Sequence, residues 1–116
     1  VTDQGAREGN YLESSATALF IYTLAKAINK GYIGNEYIEP TQKAFDGMVK
    51  TFTRLEEDGS YTITNCCAVA GLGGDSKRYR DGSFEYYISE PIIENDPKSV
   101  GSFILAAIEY EKMTKK

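Results

Sequence analysis

The stretch Ser14-Ser15-Ala16-Thr17-Ala18-Leu19-Phe20-Ile21-Tyr22-Thr23-Leu24-Ala25-Lys26-Ala27-Ile28-Asn29-Lys30-Gly31 decides the fold. It opens on two serines suited to an N-cap and ends on Gly31, a residue type that readily takes the left-handed turn beyond a helix, so it predicts one helix. Between Ser15 and Ala25 there is no charged residue. A helix of that kind has no face suited to water and is expected to be enclosed on all sides. Only its end, at Lys26, Asn29 and Lys30, is expected to be wet, and cations there complement the helix dipole.

Two further helices follow from the same reading. Asp96 as N-cap with Pro97 in the first position predicts a helix to about Met113, again without charge from Ser99 to Ile108. Pro40 to about Leu55 predicts a helix of another kind. There Ala44, Phe45, Met48, Val49, Phe52 and Leu55 form one stripe, while Lys43, Asp46, Lys50 and Arg54 take the opposite face. Asp58-Gly59 signals a turn, after which the alternation Tyr61-Thr62-Ile63-Thr64 predicts a short strand. A long glycine-rich loop from Cys66 to Gly82 is a candidate for ligand contact, with a plain connector as the alternative, and Ser83 to Ser89 predicts one or two helical turns.

The order is thus enclosed helix, one-sided helix, enclosed helix. That is the pattern of an α/α toroid, in which inner helices touch neighbours on several sides and outer ones cover them with a single face. The fold class expected is all-α, about three main helices with a short strand and a long loop. Three helices cannot close a ring. The chain is therefore expected either to self-associate as a homo-oligomer or to pack with another part of a longer protein. Val1-Thr2-Asp3-Gln4 opens without Met, which keeps the second alternative open.

Composition narrows function by exclusion. With 41% hydrophobic and 26% charged residues, positions 1–116 read as a single globular unit. Seventeen acidic against thirteen basic residues, a net charge of -4, oppose a nucleic-acid partner. No apolar run reaches the roughly 18 residues a bilayer span needs, so no membrane partner is expected. Absence of a secretory pattern favours the cytoplasm, on the condition that the true N-terminus is present. There is no histidine, which removes imidazole-based triads and the usual zinc sites from this chain, and no cofactor or metal is expected. Cys66 and Cys67 are adjacent and expected to be reduced and packed.

Beyond periodicity, particular runs are familiar. Arg7-Glu8-Gly9-Asn10-Tyr11-Leu12-Glu13-Ser14-Ser15-Ala16-Thr17, Cys67-Ala68-Val69-Ala70-Gly71-Leu72-Gly73-Gly74, Tyr79-Arg80-Asp81-Gly82-Ser83-Phe84-Glu85-Tyr86-Tyr87-Ile88-Ser89-Glu90-Pro91, and Asn95-Asp96-Pro97-Lys98 with Gly101 resemble, in order, the C-terminal part of glycoside hydrolase family 105. These are unsaturated rhamnogalacturonyl hydrolases, close relatives of the unsaturated glucuronyl hydrolases. The resemblance implies the last third of an (α/α)6 barrel. It also implies a partner class, oligosaccharides bearing an unsaturated uronyl residue left by pectin lyases. Chemistry in the family is hydration of the sugar's carbon-carbon double bond by an Asp acting as acid and base, after which the hemiketal collapses. That Asp lies upstream of the matched segment, so no catalytic residue is assigned here.

Five residues are candidates for substrate contact. Arg80 and Lys98 can each meet a uronate carboxylate, Arg80 bidentately from a loop and Lys98 from the first turn of a helix with free N–H groups; an ion pair of Arg80 with Asp81 or Glu85 is the alternative. Glu13, beside Tyr11 at the mouth of the first helix, can orient sugar hydroxyls or simply favour the helix N-terminus. Tyr11 and Tyr79 can stack or hydrogen-bond, as can Tyr86 and Tyr87, or serve packing. A reading of another class is a stand-alone helical interaction module without catalysis.

Overall fold

The computed structural model describes residues 1–75 and 77–115, apart from the Arg78 side chain. Four helices run along it: α1 (Ser14–Asn29), α2 (Ile38–Phe52), α3 (Phe84–Ser89) and α4 (Pro97–Thr114). Between them lie short strands: β1 (Thr53–Leu55), β2 (Tyr61–Ile63), β3 (Cys66–Cys67), β4 (Gly73–Asp75), β5 (Arg78–Arg80) and β6 (Ile92–Ile93). They pair as three antiparallel two-stranded ribbons, β1 with β2, β3 with β6 and β4 with β5.

Helices α1 and α4 form the principal contact. Along α1 the buried positions are Ser14, Ala18, Ile21, Ala25 and Ile28; along α4 they are Ser99, Ser102, Ala106 and Met113. Steps of three and four place each set on one stripe, and the small residues allow close approach of the two backbones. The helices run parallel. Near their starts both are tied to the segment around β3, and near their ends Asn29 Nδ2 donates to the Glu109 carbonyl at 2.9 Å. Helix α2 covers one side of the pair in the opposite direction. Its Met48 and Phe52 join Ala18, Ile21 and Ala106 in one cluster, and Phe45 stacks on Tyr110 with centroids 3.8 Å apart. Ala25, Ile28 and Met113 form a second cluster, on which Ile38 packs.

The opposite side of the pair is open. Phe20 is 60% exposed and Ile104 54%, and Leu19, Leu105 and Ile108 are exposed with them. The radius of gyration, 16.0 Å, also exceeds the roughly 13 Å of a compact domain this long. Enclosure of α1 and α4 on all sides is thus not achieved by the described residues.

Several boundaries differ from the sequence-based expectation. Helix α2 begins at Ile38, because Pro40 is accommodated within a first turn whose N–H groups have no helical acceptor. It ends at Phe52, since Thr53 turns to extended backbone with its hydroxyl bonded back to the Val49 carbonyl at 2.7 Å; Leu55 therefore lies exposed in β1 instead of extending the apolar stripe. The N-cap of α1 is Glu13, not either serine. The segment expected as one long loop contains β3 and the β4–β5 hairpin. Gly82 closes it at φ +78°, where an added Cβ would stand 2.8 Å from Leu72 Cδ2. No helix among the described residues is long and apolar enough to cross a membrane.

Candidate functional site

Segment 63–68 is fastened between the starts of the two paired helices. The Asn95 side chain accepts from Ile63 N at 2.9 Å, while Asn95 N donates to the Ile63 carbonyl at 2.8 Å. Ser14 N donates to the Asn65 carbonyl, and Asn65 Nδ2 returns to the Leu12 carbonyl. Asn65 and Asn95 both hold left-handed backbone, at φ 59° and 51°, a conformation their short polar side chains tolerate.

Glu13 makes the central tie. Its carboxylate accepts from Ser15 N at 3.2 Å, Ala16 N at 2.7 Å, the Ser15 hydroxyl and, across the fold, Cys67 N at 3.0 Å. A carboxylate taking this many donors is committed to capping α1 and anchoring β3. On the other side Asp96 caps α4 by accepting from Lys98 N at 2.8 Å, and the Lys98 ammonium bridges Asp96, at 2.7 Å, to the Ala68 carbonyl, at 3.1 Å. This pairing holds the Asp96 carboxyl below its ordinary range and raises the Lys98 ammonium. The N–H that an anionic ligand would need at Lys98 is therefore occupied by Asp96.

A cleft of about 630 Å³ opens beside the start of α1, lined by Tyr11, Glu13, Phe20 and Tyr87 among others. Tyr11 and Tyr87 stack with centroids 5.6 Å apart. Burial raises both phenols, most strongly Tyr11, whose hydroxyl lies beside the Cys67 and Tyr87 side chains, so Tyr11 stays protonated. Asn10 shapes the far wall by donating to the carbonyls of Val1 and Gln4. The Cys66 and Cys67 thiols are free and buried, and burial raises Cys66. Among the described residues no three His, Cys, Asp or Glu side chains gather as a metal site would require. With the Glu13 oxygens engaged, the cleft offers shape, rings and hydroxyls for binding.

Arg80 stands apart, on the β4–β5 hairpin opposite Gly73. Its partner is neither Asp81 nor Glu85: Asp81 accepts from Ser83 N, and Glu85 pairs with Arg7. Arg80 Nε instead donates to the buried carboxylate of Glu90 at 3.4 Å. Tyr79 is exposed on the same strand. On the same hairpin Lys77 N donates to the Asp75 carboxylate, and the Arg78 side chain lies outside the described residues.

The structure thus brings Tyr11 and Glu13 together at one helix start, places Lys98 at the neighbouring one, and puts Arg80 and Tyr79 on a hairpin. Asn10, Tyr87 and Glu90 were not among the five candidates. The Gly9-Asn10 pair is the available cue in the sequence for a turn; in the structure Gly9 takes positive φ and the Asn10 side chain clamps that turn. Nothing local marks the Glu13 bond to a backbone 54 positions away.

Residues 1–114 match the family described as Glycosyl Hydrolase Family 88. Two curated relatives, protein Atu3128 of Agrobacterium fabrum and the 24.9 kDa protein in the picA locus of Rhizobium radiobacter, are each 36% identical over 113 residues. The match takes in 94% of this chain and 48% of each of theirs, so the chain spans about half their length. Among solved structures, a family 105 glycoside hydrolase of C. acetobutylicum ATCC 824 superposes with TM-score 0.92 and 45% identity over 96% of this chain, which is 30% of that one. A possible member of family 105 from Klebsiella pneumoniae gives 0.69 and 27% over 94% of this chain and 24% of its own. The chain belongs to glycosyl hydrolase family 88, and its sequence and fold match a segment of solved family 105 glycoside hydrolases.

Proposed function

We propose that residues 1–116 form the C-terminal part of an (α/α)6-barrel hydrolase that removes unsaturated galacturonyl or glucuronyl residues from the ends of pectin-derived oligosaccharides. The observation that carries this is the match of nearly the whole chain to less than a third of a family 105 glycoside hydrolase. A parallel helix pair covered on one side by an antiparallel helix fits a sector of such a barrel, and the open face of α1 and α4 fits neighbouring inner helices. On this reading the general acid and base is an Asp outside these residues. This chain would supply part of the binding rim: Arg80 for the uronate carboxylate, Tyr79 and Tyr11 for the sugar ring, and Glu13 and Lys98 for holding the two helix starts and segment 66–68 in place.

The double bond conjugated to the uronate carboxyl absorbs in the ultraviolet, so turnover is followed directly. The whole polypeptide that carries this segment is expected to bleach an unsaturated rhamnogalacturonan disaccharide, and the 116-residue chain alone is not. Bleaching by the isolated chain would refute an acid and base outside it. Failure of the whole polypeptide on both galacturonyl and glucuronyl substrates would refute the substrate class. The same open apolar face also favours a second reading, a self-associating helical module. Light scattering separates the two, because association that persists in the whole polypeptide through α1 and α4 belongs to the module.

A further inference from the structure

Of the arginine–glutamate pairs among the described residues, two differ instructively in geometry. Arg54 closes on Glu94 with both terminal nitrogens, Nη1 to Oε1 at 2.8 Å and Nη2 to Oε2 at 3.0 Å, in the fork-to-fork arrangement that satisfies a guanidinium. Arg80 touches Glu90 only through Nε, at 3.4 Å, and among the described residues its two terminal nitrogens have no hydrogen-bond or ion-pair partner. Yet it is the more buried of the two arginines, its side chain 27% exposed against 52% for Arg54, and its Glu90 partner is 2% exposed. A carboxylate is not taken out of water this far without a compensating charge. Glu90 is also firmly rooted. Its N–H caps α3 at the Tyr87 carbonyl, and it precedes Pro91, whose carbonyl accepts from Ala68 N next to β3. Arg80 by contrast belongs to the hairpin, and its methylene arm runs along the Gly71 backbone, where an added Cβ would lie 3.6 Å from Arg80 Cδ.

We infer that Glu90 is a positioning residue: it holds Arg80 by the Nε edge so that the fork of terminal nitrogens is presented to the carboxylate of a uronyl ligand. The inference rests on the role proposed above for Arg80. A guanidinium offers two edges that can each engage a carboxylate, and the Nε edge is taken by the protein while the other is kept for the ligand. Glu90 also fixes the hairpin to the body of the fold, so that Tyr79 and Arg80 arrive together.

The test uses the whole polypeptide carrying this segment, with Glu90→Gln, which keeps the shape and removes the charge, and Arg80→Lys, which keeps the charge and removes the fork. On the unsaturated uronide as free acid, each variant is expected to raise KM on the order of tenfold with kcat within about twofold. On the methyl ester of the same substrate, which has no carboxylate, neither KM is expected to move. Equal losses on acid and ester would reduce Glu90 to a structural role, and unchanged KM on the acid in both variants would overturn the inference. Where Glu90→Gln does not fold, Arg80→Lys decides alone. A second readout does not depend on turnover: the Arg80 Nε–H resonance is expected to shift on titration with galacturonate, and to lose that response in Glu90→Gln. If the wild type bleaches no unsaturated uronide, the substrate class fails by itself, and this titration still decides the Arg80–Glu90 arrangement. No shift in the wild type overturns it.

Discussion

Helix α2 confines its apolar residues to one stripe, and Met48 and Phe52 within that stripe are buried; helices α1 and α4 carry apolar residues around their circumference and bury only the seam they share and the side that α2 covers. The difference teaches that a helix's pattern states how many neighbours it needs. One neighbouring layer satisfies α2. Helices α1 and α4 need more, and Leu19, Phe20, Ile104, Leu105 and Ile108 remain uncovered. The deepest way to break the comparison is to damage the layer that all three helices share. Ile21 sits in it at 1% exposure, and Ile21→Ala is expected to lower stability by about 3 kcal/mol through lost burial and a residual cavity. Urea unfolding measures it. A loss under about 1 kcal/mol would mean that this seam is not the packed centre.

A smaller effect is expected at the helix start. Glu13→Ala removes the cap of α1 and strands the Cys67 N–H, for a combined loss of about 2 kcal/mol. Glu13→Gln keeps an acceptor and is expected to lose about half as much. Equal losses would show that charge, not acceptor geometry, fastens β3. Smaller again, in the isolated chain, is Phe20→Gln on the open face: within about 0.5 kcal/mol by urea, with light scattering shifted toward monomer. Inside the whole polypeptide the same change is expected to be destabilising by about 2 kcal/mol or more, because there the open face would be covered. Equal, small effects in both settings would remove the reason to regard α1 and α4 as inner helices.

The helices were legible because their signals are local. Uncharged runs of ten or more residues, Asp96-Pro97 and the spacing of Phe45, Met48 and Phe52 each decide an element within a few turns of chain. Strand β2 was legible in the same way, from the alternation Tyr61-Thr62-Ile63-Thr64. The β3–β6 ribbon was not, because its strands are two residues each and exist only through pairing of Cys66 with Ile93 and Cys67 with Ile92. At the site, residue types were readable while partners were not. Glu13 reads as a helix-start carboxylate, but its bond to Cys67 N depends on where segment 63–68 is laid down. Arg80 reads as a carboxylate contact with an ion pair to Asp81 or Glu85 as the alternative, yet Asp81 and Glu85 are engaged elsewhere and the partner the fold supplies is Glu90.

The two helix starts also differ from each other, and the smallest predicted effect isolates that difference. Glu13 caps α1 through neutral N–H and hydroxyl donors, whereas Asp96 caps α4 with an ammonium added, that of Lys98. Lys98 first, then its backbone N–H, holds the Asp96 carboxyl below its ordinary value of 3.8. A carboxyl lowered on folding stabilises the fold above its ordinary value, and that contribution disappears as pH falls through the folded one. Lys98 is raised above its ordinary 10.5, so its share is present below that value and disappears as pH rises past it. Asp96→Asn keeps a good cap and removes the charge. Wild type is therefore expected to melt above the variant throughout about pH 5 to 9, and the two melting curves are expected to converge below about pH 3. Adding 1 M salt at pH 7 should narrow the gap, because the Lys98 head is half exposed and screened. A gap that survives at low pH would assign the difference between the two helix starts to acceptor geometry alone.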